Sequence, residues 1–277
     1  MKIAGVQMDV ALGRADHNLR QILSKLQEGA GQSADFVIFP ECALTGYCFE
    51  SLEEARPVAQ KIPGPATNEI AIACRELGTH VVVGMLEEDG ERVFNAAVCV
   101  GPDGVVAKYR KVHLPKLGVD HFVDPGDEKF AVHELESCRF GMLICYDASF
   151  PEASRCLAVG GADLIVLPTN WPPGAEPTAE HVINARSSEN HVFFAAVNRI
   201  GLERGFQFIG RSRITDVHGN TLAAASAEKE EIIYAQINPD LARQKRVQRA
   251  PGHSVDRMAD RRPEFYQDLT RVGPKYP

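Results

Sequence analysis

The chain alternates short, almost continuously apolar segments with amphipathic ones, and this order constrains its fold more than any other feature. In the first half, residues 2–8, 34–39 and 80–85 are apolar runs of strand length. Between them, residues 18–30 and 66–77 space their apolar side chains at helical intervals. Strands that are apolar on both faces need cover on both sides. The order β-α-β-α-β therefore predicts an α/β fold with helices packed on a sheet.

Turn residues then close the first half on a pair of neighbouring strands. Gly101–Pro102–Asp103–Gly104 separates apolar residues 93–100 from 105–109, which is the pattern of an antiparallel hairpin. The second half repeats the plan, with predicted strands at 139–145, 163–167, 192–198 and 231–237, helices at 151–159 and 178–190, and a hairpin of 212–217 with 222–225. Two such halves favour two mixed sheets packed face to face with helices outside. The resulting four-layer α-β-β-α sandwich also rests on the resemblance described below.

Composition and charge exclude several classes of function. A formal net charge of −7 and a pI near 5.7 argue against bulk nucleic-acid binding, which needs a basic face. No apolar run is long enough to span a membrane, and the first residues lead directly into a strand, so neither a membrane segment nor a signal peptide is expected. Seven cysteines, mostly in apolar segments, indicate reduced thiols in a cytoplasmic protein. Cys42 and Cys48 have no matching Cys/His pair, so no metal site is predicted.

The chain's length permits one continuous domain. Its 277 residues are 44% hydrophobic, which is enough for one large core, and no Ser/Gly/Pro-rich linker divides them. We therefore expect a single domain over residues 1–277. Residues 241–277 are rich in Arg and Lys and have little apolar periodicity. They indicate either a solvated C-terminal extension or an arm that docks on a partner subunit.

Three reactive side chains each follow a predicted strand. Cys145 follows the apolar run 140–144, ends the predicted strand 139–145 and precedes a polar turn, a placement that presents a nucleophile. Glu41 follows the strand at 34–39, and Lys111 follows the second strand of the first hairpin. Taken singly, the cysteine is typical of a core, the lysine of a solvated face and the glutamate of a turn. Together they form a candidate catalytic set of thiol, cation and base.

The segments around these residues carry a family resemblance. They are residues 40–47 (PECALTGY), 109–114 (YRKVHL) and 145–152 (CYDASFPE), in this order along the chain. They resemble the three signature segments of the nitrilase superfamily of carbon–nitrogen hydrolases. Residues 168–172, 185–190, 198–201 and 262–266 are similar to later segments of that family, so the resemblance covers nearly the whole chain.

The resemblance implies the α-β-β-α sandwich, a Glu41–Lys111–Cys145 triad, no cofactor, and homodimers or larger homo-oligomers. The residues after the thiol look more like the amidase and carbamoylase branches than true nitrilases. We therefore expect a thiol hydrolase that cleaves a non-peptide C–N bond of a small linear amide and releases ammonia. In this scheme Glu41 is base and then acid, Cys145 forms a thioester, and Lys111 stabilises the oxyanion.

The remaining site residues are predicted with less support from the motifs. Many family members carry a further Glu between the lysine and cysteine segments, where it positions substrate. Residues 114–126 contain no Glu here, so Asp120, followed by Asp124, is the best replacement. The Tyr146 backbone N–H is a candidate second donor to the oxyanion. The other predicted substrate-binding residues are Tyr47, Asn170 and Trp171, expected as walls of the pocket.

Several alternatives remain open at this point. A nitrilase or an N-carbamoyl-amine or amino-acid hydrolase would use the same triad, and a carbamoylase would need a cation for the substrate carboxylate. Candidate cations are Arg155, Arg186 and Arg199. A base at His113 or His121 would leave Glu41 without a role. A non-enzymatic scaffold of the same fold would not require the intact triad.

Overall fold

Two six-stranded mixed β-sheets form the centre of the fold. The computed structural model describes residues 1–136, 138–271 and 273. The strands are β1 (Lys2–Gln7), β2 (Phe36–Ile38), β3 (His80–Asp89), β4 (Arg92–Gly101), β5 (Gly104–Arg110), β6 (Val132–Leu135), β7 (Cys138–Met142), β8 (Leu164–Thr169), β9 (Phe193–Asn198), β10 (Leu202–Glu203), β11 (Phe206–Gln207), β12 (Arg213–Thr215), β13 (Thr221–Ala224), β14 (Glu231–Gln236), β15 (Arg246–Ala250) and β16 (His253–Asp256). The helices are α1 (Ala15–Gly31), α2 (Leu52–Ala55), α3 (Pro65–Leu77), α4 (Pro151–Val159), α5 (Ile183–Asn190) and α6 (Pro239–Arg243).

The two large sheets have related strand orders. The first runs β14-β1-β2-β3-β4-β5 and the second β13-β12-β9-β8-β7-β6. In each, three consecutive strands are parallel, β1-β2-β3 in the first and β7-β8-β9 in the second, and the flanking strands are antiparallel. Both predicted hairpins are present, as β4–β5 and β12–β13.

Side-chain alternation along the strands builds the four layers. In β2, Phe36 and Ile38 face the core shared with the second sheet, whereas Val37 faces the core beneath α1 and α3. The Phe36 and Phe140 rings meet edge to face across the two sheets at 5.3 Å. On the far side, Leu157 of α4 packs into the same core cluster as the second sheet. The predicted α-β-β-α sandwich is confirmed.

Two elements differ from the prediction. The strand expected at 139–145 ends at Met142, and Cys145 opens a short 3₁₀ turn, Cys145–Ser149. The left-handed backbone of Cys145, with φ +44°, keeps that residue itself out of the strand. The helix expected at 178–190 begins as a π-helical turn, Thr178–Val182, before α5.

The start of the C-terminal extension contacts the chain's own second sheet and α5. Arg243 donates to Asp163 at 2.8 Å, and the Lys245 ammonium donates to the carbonyl of His191, also at 2.8 Å. The β15–β16 hairpin follows. Residues 137, 272 and 274–277 lie outside the described residues. Docking of this extension on a partner subunit stays a prediction.

Within the described residues, no helix combines the length and apolar character needed to cross a membrane. Among the same residues, no three His, Cys, Asp or Glu side chains are placed together to hold a metal ion.

Candidate active site

Lys111 lies at the centre of a buried charged cluster. It directly follows β5, and its ammonium donates to Glu41 Oε1 at 2.6 Å and to Asp120 Oδ2 at 2.5 Å. All three side chains are excluded from solvent. The fold thus brings together two residues of the predicted triad with the residue proposed in place of the additional Glu. The second candidate for that place, Asp124, instead accepts from the backbone N–H of Val93.

Burial and pairing set the charge states of this cluster. Burial opposes the charge of Lys111, but the Asp120 and Glu41 carboxylates outweigh it and raise its pKa well above the ordinary value. The lysine is therefore a permanent cation at neutral pH. For Glu41, burial raises the pKa, the Lys111 charge lowers it and the Asp120 charge raises it, with a net increase. Glu41 is consequently a better proton acceptor than an exposed glutamate.

Asn95 connects the two carboxylates and was not predicted. Its side-chain nitrogen donates to Glu41 Oε1 at 2.7 Å and to Asp120 Oδ1 at 2.8 Å. It lies in β4, where it is the one polar residue of the run 93–100. A polar residue within an apolar strand is the sequence signal that could have identified Asn95, because a buried amide needs hydrogen-bond partners. The Tyr47 hydroxyl completes the cluster by donating to Asp120 Oδ2 at 2.8 Å.

One carboxylate oxygen of the cluster has no partner. Glu41 Oε2 is buried and accepts no hydrogen bond from any described residue, whereas Oε1 accepts two. Leaving a buried carboxylate oxygen unpaired costs on the order of 1–3 kcal/mol. Such an oxygen is well suited to receive a proton or a substrate N–H group.

Cys145 stands on the turn just beyond β7. Its φ of +44° is unusual for a residue with a side chain and resembles the strained turns on which nucleophiles are presented. Of the seven cysteines, all of them free, five are buried; Cys145 is partly exposed and Cys156 is exposed. Cys145 therefore combines a position at the end of a core strand with a residue that is only partly buried.

The electrostatics of Cys145 reflect its closeness to Glu41 and Lys111. Burial of the sulfur and the Glu41 charge raise the pKa of the thiol to about 12, while the Lys111 charge and the Asn170 backbone N–H act to lower it. The resting group is a neutral thiol rather than a preformed thiolate. Formation of the sulfur anion thus requires a base that takes the proton as the bond to substrate forms.

Asp147 fixes the turn that carries the thiol. Its carboxylate accepts from the Tyr109 hydroxyl at 2.8 Å, from the Ile144 N–H at 3.0 Å and from the His113 N–H at 3.1 Å. The His113 Nδ1 lies 2.7 Å from the same carboxylate, and its ring stacks on Phe150 at 3.7 Å. His113 thus supports the turn and is not placed as a base for Cys145.

The predicted pocket residues occupy different environments. Asn170 directly follows β8 and is buried, yet neither its side-chain nitrogen nor its oxygen has a partner among the described residues. Trp171 is only 3% exposed and belongs to the core cluster that contains the second sheet, and its place in the pocket wall stays a prediction. The Tyr146 side chain is 41% exposed. Its N–H lies in the first turn of the 3₁₀ segment, where backbone donors lack helical partners.

Arg199 is committed to structure rather than free for a substrate carboxylate. It is fully buried and donates to Glu203 Oε1 at 2.7 Å and to Asp9 Oδ1 at 2.9 Å. Glu203 Oε2 in turn accepts from the backbone N–H of Tyr47 at 3.0 Å. This pair therefore fixes the segment that carries Tyr47.

The other two candidate cations are also engaged. Arg186 donates to the Ala148 carbonyl at 3.1 Å and to Glu189 at 3.0 Å. Arg155 contacts Met258 Sδ at 3.6 Å and borders a cavity beside the C-terminal extension. None of the three arginines named from the sequence is thus shown beside Cys145.

A model of one protein family, carbon–nitrogen hydrolase, matches residues 2–247. The chain belongs to the carbon–nitrogen hydrolase family. It is therefore an enzyme, a hydrolase of non-peptide carbon–nitrogen bonds, and the predicted family resemblance is confirmed.

Curated relatives of this carbon–nitrogen hydrolase include both nitrilases and amidases. A nitrilase of Pyrococcus abyssi is 39% identical over 96% of this chain and 99% of the relative. An (R)-stereoselective amidase of Pseudomonas sp. is 34% identical over 83% of this chain and 82% of the amidase's own length. Human omega-amidase is 29% identical over 86% of this chain and 88% of the omega-amidase's own length.

Solved structures agree on the fold. The amidase NitN from Nesterenkonia sp. AN1 superposes with a TM-score of 0.80 at 25% identity, covering 97% of this chain and 99% of the other. A mutant of the amidase from the same organism, with the acetamide moiety of fluoroacetamide added covalently at its active-site cysteine, gives a TM-score of 0.81 at 23% identity, with 97% of each chain covered.

Proposed function

We propose that this carbon–nitrogen hydrolase is an amidase that cleaves small linear amides through a thioester on Cys145. The observation that carries the proposal is the unpartnered Glu41 Oε2, because a buried base with one bound and one open oxygen is ready for proton transfer. The Lys111 ammonium supplies the neighbouring positive charge. The strained, partly exposed turn presents the thiol.

The first half of the reaction replaces the amine with sulfur. As Cys145 Sγ attacks the amide carbon, its proton passes to Glu41 and the carbonyl oxygen becomes an oxyanion. The Lys111 ammonium and the Tyr146 N–H stabilise that oxyanion, each donor contributing a few kcal/mol in comparable sites. Glu41 then returns the proton to nitrogen, the C–N bond breaks, and ammonia leaves.

The second half hydrolyses the thioester. Glu41 accepts a proton from a water molecule while the water oxygen attacks the thioester carbon. When the C–S bond breaks, Glu41 returns that proton to the departing sulfur, and the carboxylic acid product leaves. Because Glu41 must be ionised at the start, activity falls as the pH drops through its raised pKa, and this acid limb lies above that of an exposed glutamate.

Asp120, Tyr47 and Asn170 are proposed to hold the substrate. Asp120 bonds directly to the Lys111 ammonium and so lies beside the reacting carbonyl in this scheme. The Asn170 side chain offers a donor nitrogen and an acceptor oxygen that no described residue uses. We propose the neighbouring Trp171 as a further wall of the pocket; like Tyr47, it is buried.

Turnover of a substrate panel tests the proposal. Ammonia release is measured with linear primary amides, N-carbamoyl amino acids and aliphatic nitriles, for the wild type and for Cys145→Ala. We expect amides to be turned over fastest and Cys145→Ala to be inactive. Faster turnover of nitriles would support the alternative suggested by the nitrilase of Pyrococcus abyssi. Turnover by Cys145→Ala would overturn the proposal.

We further propose that the protein is a single cytoplasmic domain that assembles into homodimers or larger oligomers. A cavity of about 1160 Å³ lies between α4 and the C-terminal extension. Leu269, which lines it, is 64% exposed, and such apolar exposure favours a covered surface. Sedimentation of the wild type and of Leu269→Asp tests the assembly, with a monomeric wild type as the contradicting result.

A further inference from the structure

Asn95 touches every charged member of the cluster around Lys111. Its side-chain nitrogen bonds to Glu41 Oε1 at 2.7 Å and to Asp120 Oδ1 at 2.8 Å. Its backbone carbonyl accepts a hydrogen bond from the backbone N–H of Lys111 at 2.8 Å. The side chain is fully buried in β4 and is oriented from its other end by the Cys42 thiol, 3.6 Å from Oδ1.

This arrangement uses both hydrogens of the amide. A primary amide has two N–H donors, and here each is directed at a different carboxylate. Glu41 Oε1 therefore receives the amide and the ammonium together, while Oε2 receives neither. The carboxylate is held by one oxygen, and the other is left open.

We propose that Asn95 is a positioning residue that holds Glu41 with one oxygen bound and the other free to exchange protons with the thiol and the substrate. The inference rests on the proposed role of Glu41 and goes beyond it by assigning the orientation of the base to β4. A rigid strand residue is suited to this task, because small displacements of reacting groups carry large kinetic effects.

The amide also separates two carboxylates that share one ammonium. The Asp120 charge raises the pKa of Glu41, whereas the hydrogen bond from Asn95 lowers it. Removing the amide donor removes a contact that favours the ionised base. Proton affinity at Glu41 then increases, and a larger fraction of the enzyme is protonated and inactive at a given pH.

The experiment measures kcat and KM against pH for Asn95→Leu with an amide that the wild type hydrolyses. The change keeps the approximate size of the side chain and removes both N–H donors without adding a charge. We expect kcat at pH 7 to fall about 100-fold with little change in KM. The acid limb of the profile should move up by about one pH unit, the amount expected for loss of a hydrogen bond to a charged group.

Asn190→Leu is the matched control. Asn190 is also buried, and among the described residues its side-chain nitrogen bonds to the backbone carbonyl of Arg186, so the acid limb should keep its wild-type position. Asn95→Ser, which is small and uncharged, replaces Asn95→Leu if that change prevents folding. The acid limb is expected to move in the same direction. Thermal unfolding of each variant verifies that it is folded.

The outcomes separate this inference from the proposed function. If kcat falls by the same factor at every pH and the acid limb does not move, Asn95 has only a structural role, and the inference is overturned. An unchanged profile would overturn it as well. Activity that survives Cys145→Ala would instead contradict the proposed function, and no role of Glu41 as its base would then stand.

Discussion

The cluster around Lys111 and the turn around Cys145 are built in opposite ways. In the cluster, the Lys111 ammonium and the Asn95 amide bind both carboxylates, and the groups are closed to solvent. At the turn, the cysteine has a strained backbone and partial exposure, and the side-chain amide of the neighbouring Asn170 lacks partners in the described chain. The comparison shows that the protein itself holds the acid–base groups in place, whereas polar groups beside the thiol are left for the substrate.

The Cys145 side of this comparison should show the largest effect. We expect Cys145→Ala to lower kcat by about 10⁴-fold or more, because the covalent route is lost while the cluster stays intact. Initial rates of ammonia release measure the change. Cys156→Ala is the control, since that thiol is exposed on α4, and wild-type rates are expected for it. Equal rates for the two variants would contradict a nucleophilic Cys145.

Lys111→Met tests the cluster side. The change leaves Glu41 and Asp120 buried together without a cation, which should cost about 3–5 kcal/mol of stability. It also removes an oxyanion donor, and kcat should fall about 10³-fold. Urea unfolding and steady-state rates measure the two effects. Lys116→Met is the control, because Lys116 is exposed, and a similar stability loss in both variants would refute the cluster's dependence on Lys111.

Asp147→Asn sharpens the comparison by loosening the turn alone. The new amide group would face donors from Tyr109, Ile144 and His113, so the turn should shift and kcat should fall about 10- to 100-fold. The position of the acid limb should not move, because Glu41 keeps its contacts. Asp216→Asn is a matched control in a distant hairpin turn, where its carboxylate accepts from His218 and Asn220. A shifted acid limb in Asp147→Asn would show that the two regions are not separate.

Tyr47→Phe gives the smallest expected change. It removes one hydroxyl that donates to Asp120 at 2.8 Å, a contact at the edge of the cluster. The single hydroxyl hydrogen is also within reach of the Leu117 carbonyl, 2.9 Å away, so its loss should cost about 1.5 kcal/mol and lower kcat/KM roughly 10-fold. Steady-state kinetics measure the change, with Tyr234→Phe in β14 as the control. A larger loss than in Lys111→Met would reverse the order of importance assigned here.

The sequence predicted the reactive residues of both regions. The end of a strand and the family segments were enough to place Glu41, Lys111 and Cys145, and the absence of Glu from residues 114–126 directed attention to Asp120. The structure brings the Glu41, Lys111 and Asp120 side chains into direct contact. Their catalytic roles stay predictions until the variants are measured.

The residues that hold the site were harder to predict because their signal depends on tertiary contacts. Asn95 occupies an ordinary strand position, and only its partners from two distant loops explain a buried amide there. Arg199 looked available to a substrate, but ion pairs with Glu203 and Asp9 use its guanidinium. Trp171 lies in a proline-rich segment typical of exposed loops, yet it is buried in the core cluster that contains the second sheet.

The most direct test of the account is mapping of the acyl group during turnover. The enzyme is mixed with an amide, quenched in acid within its first turnovers, digested and analysed by mass spectrometry. The account predicts an added acyl mass on the peptide that contains Cys145 and on none of the other cysteine peptides. Rapid turnover with Cys145 unmodified throughout, and undiminished in Cys145→Ala, would contradict it.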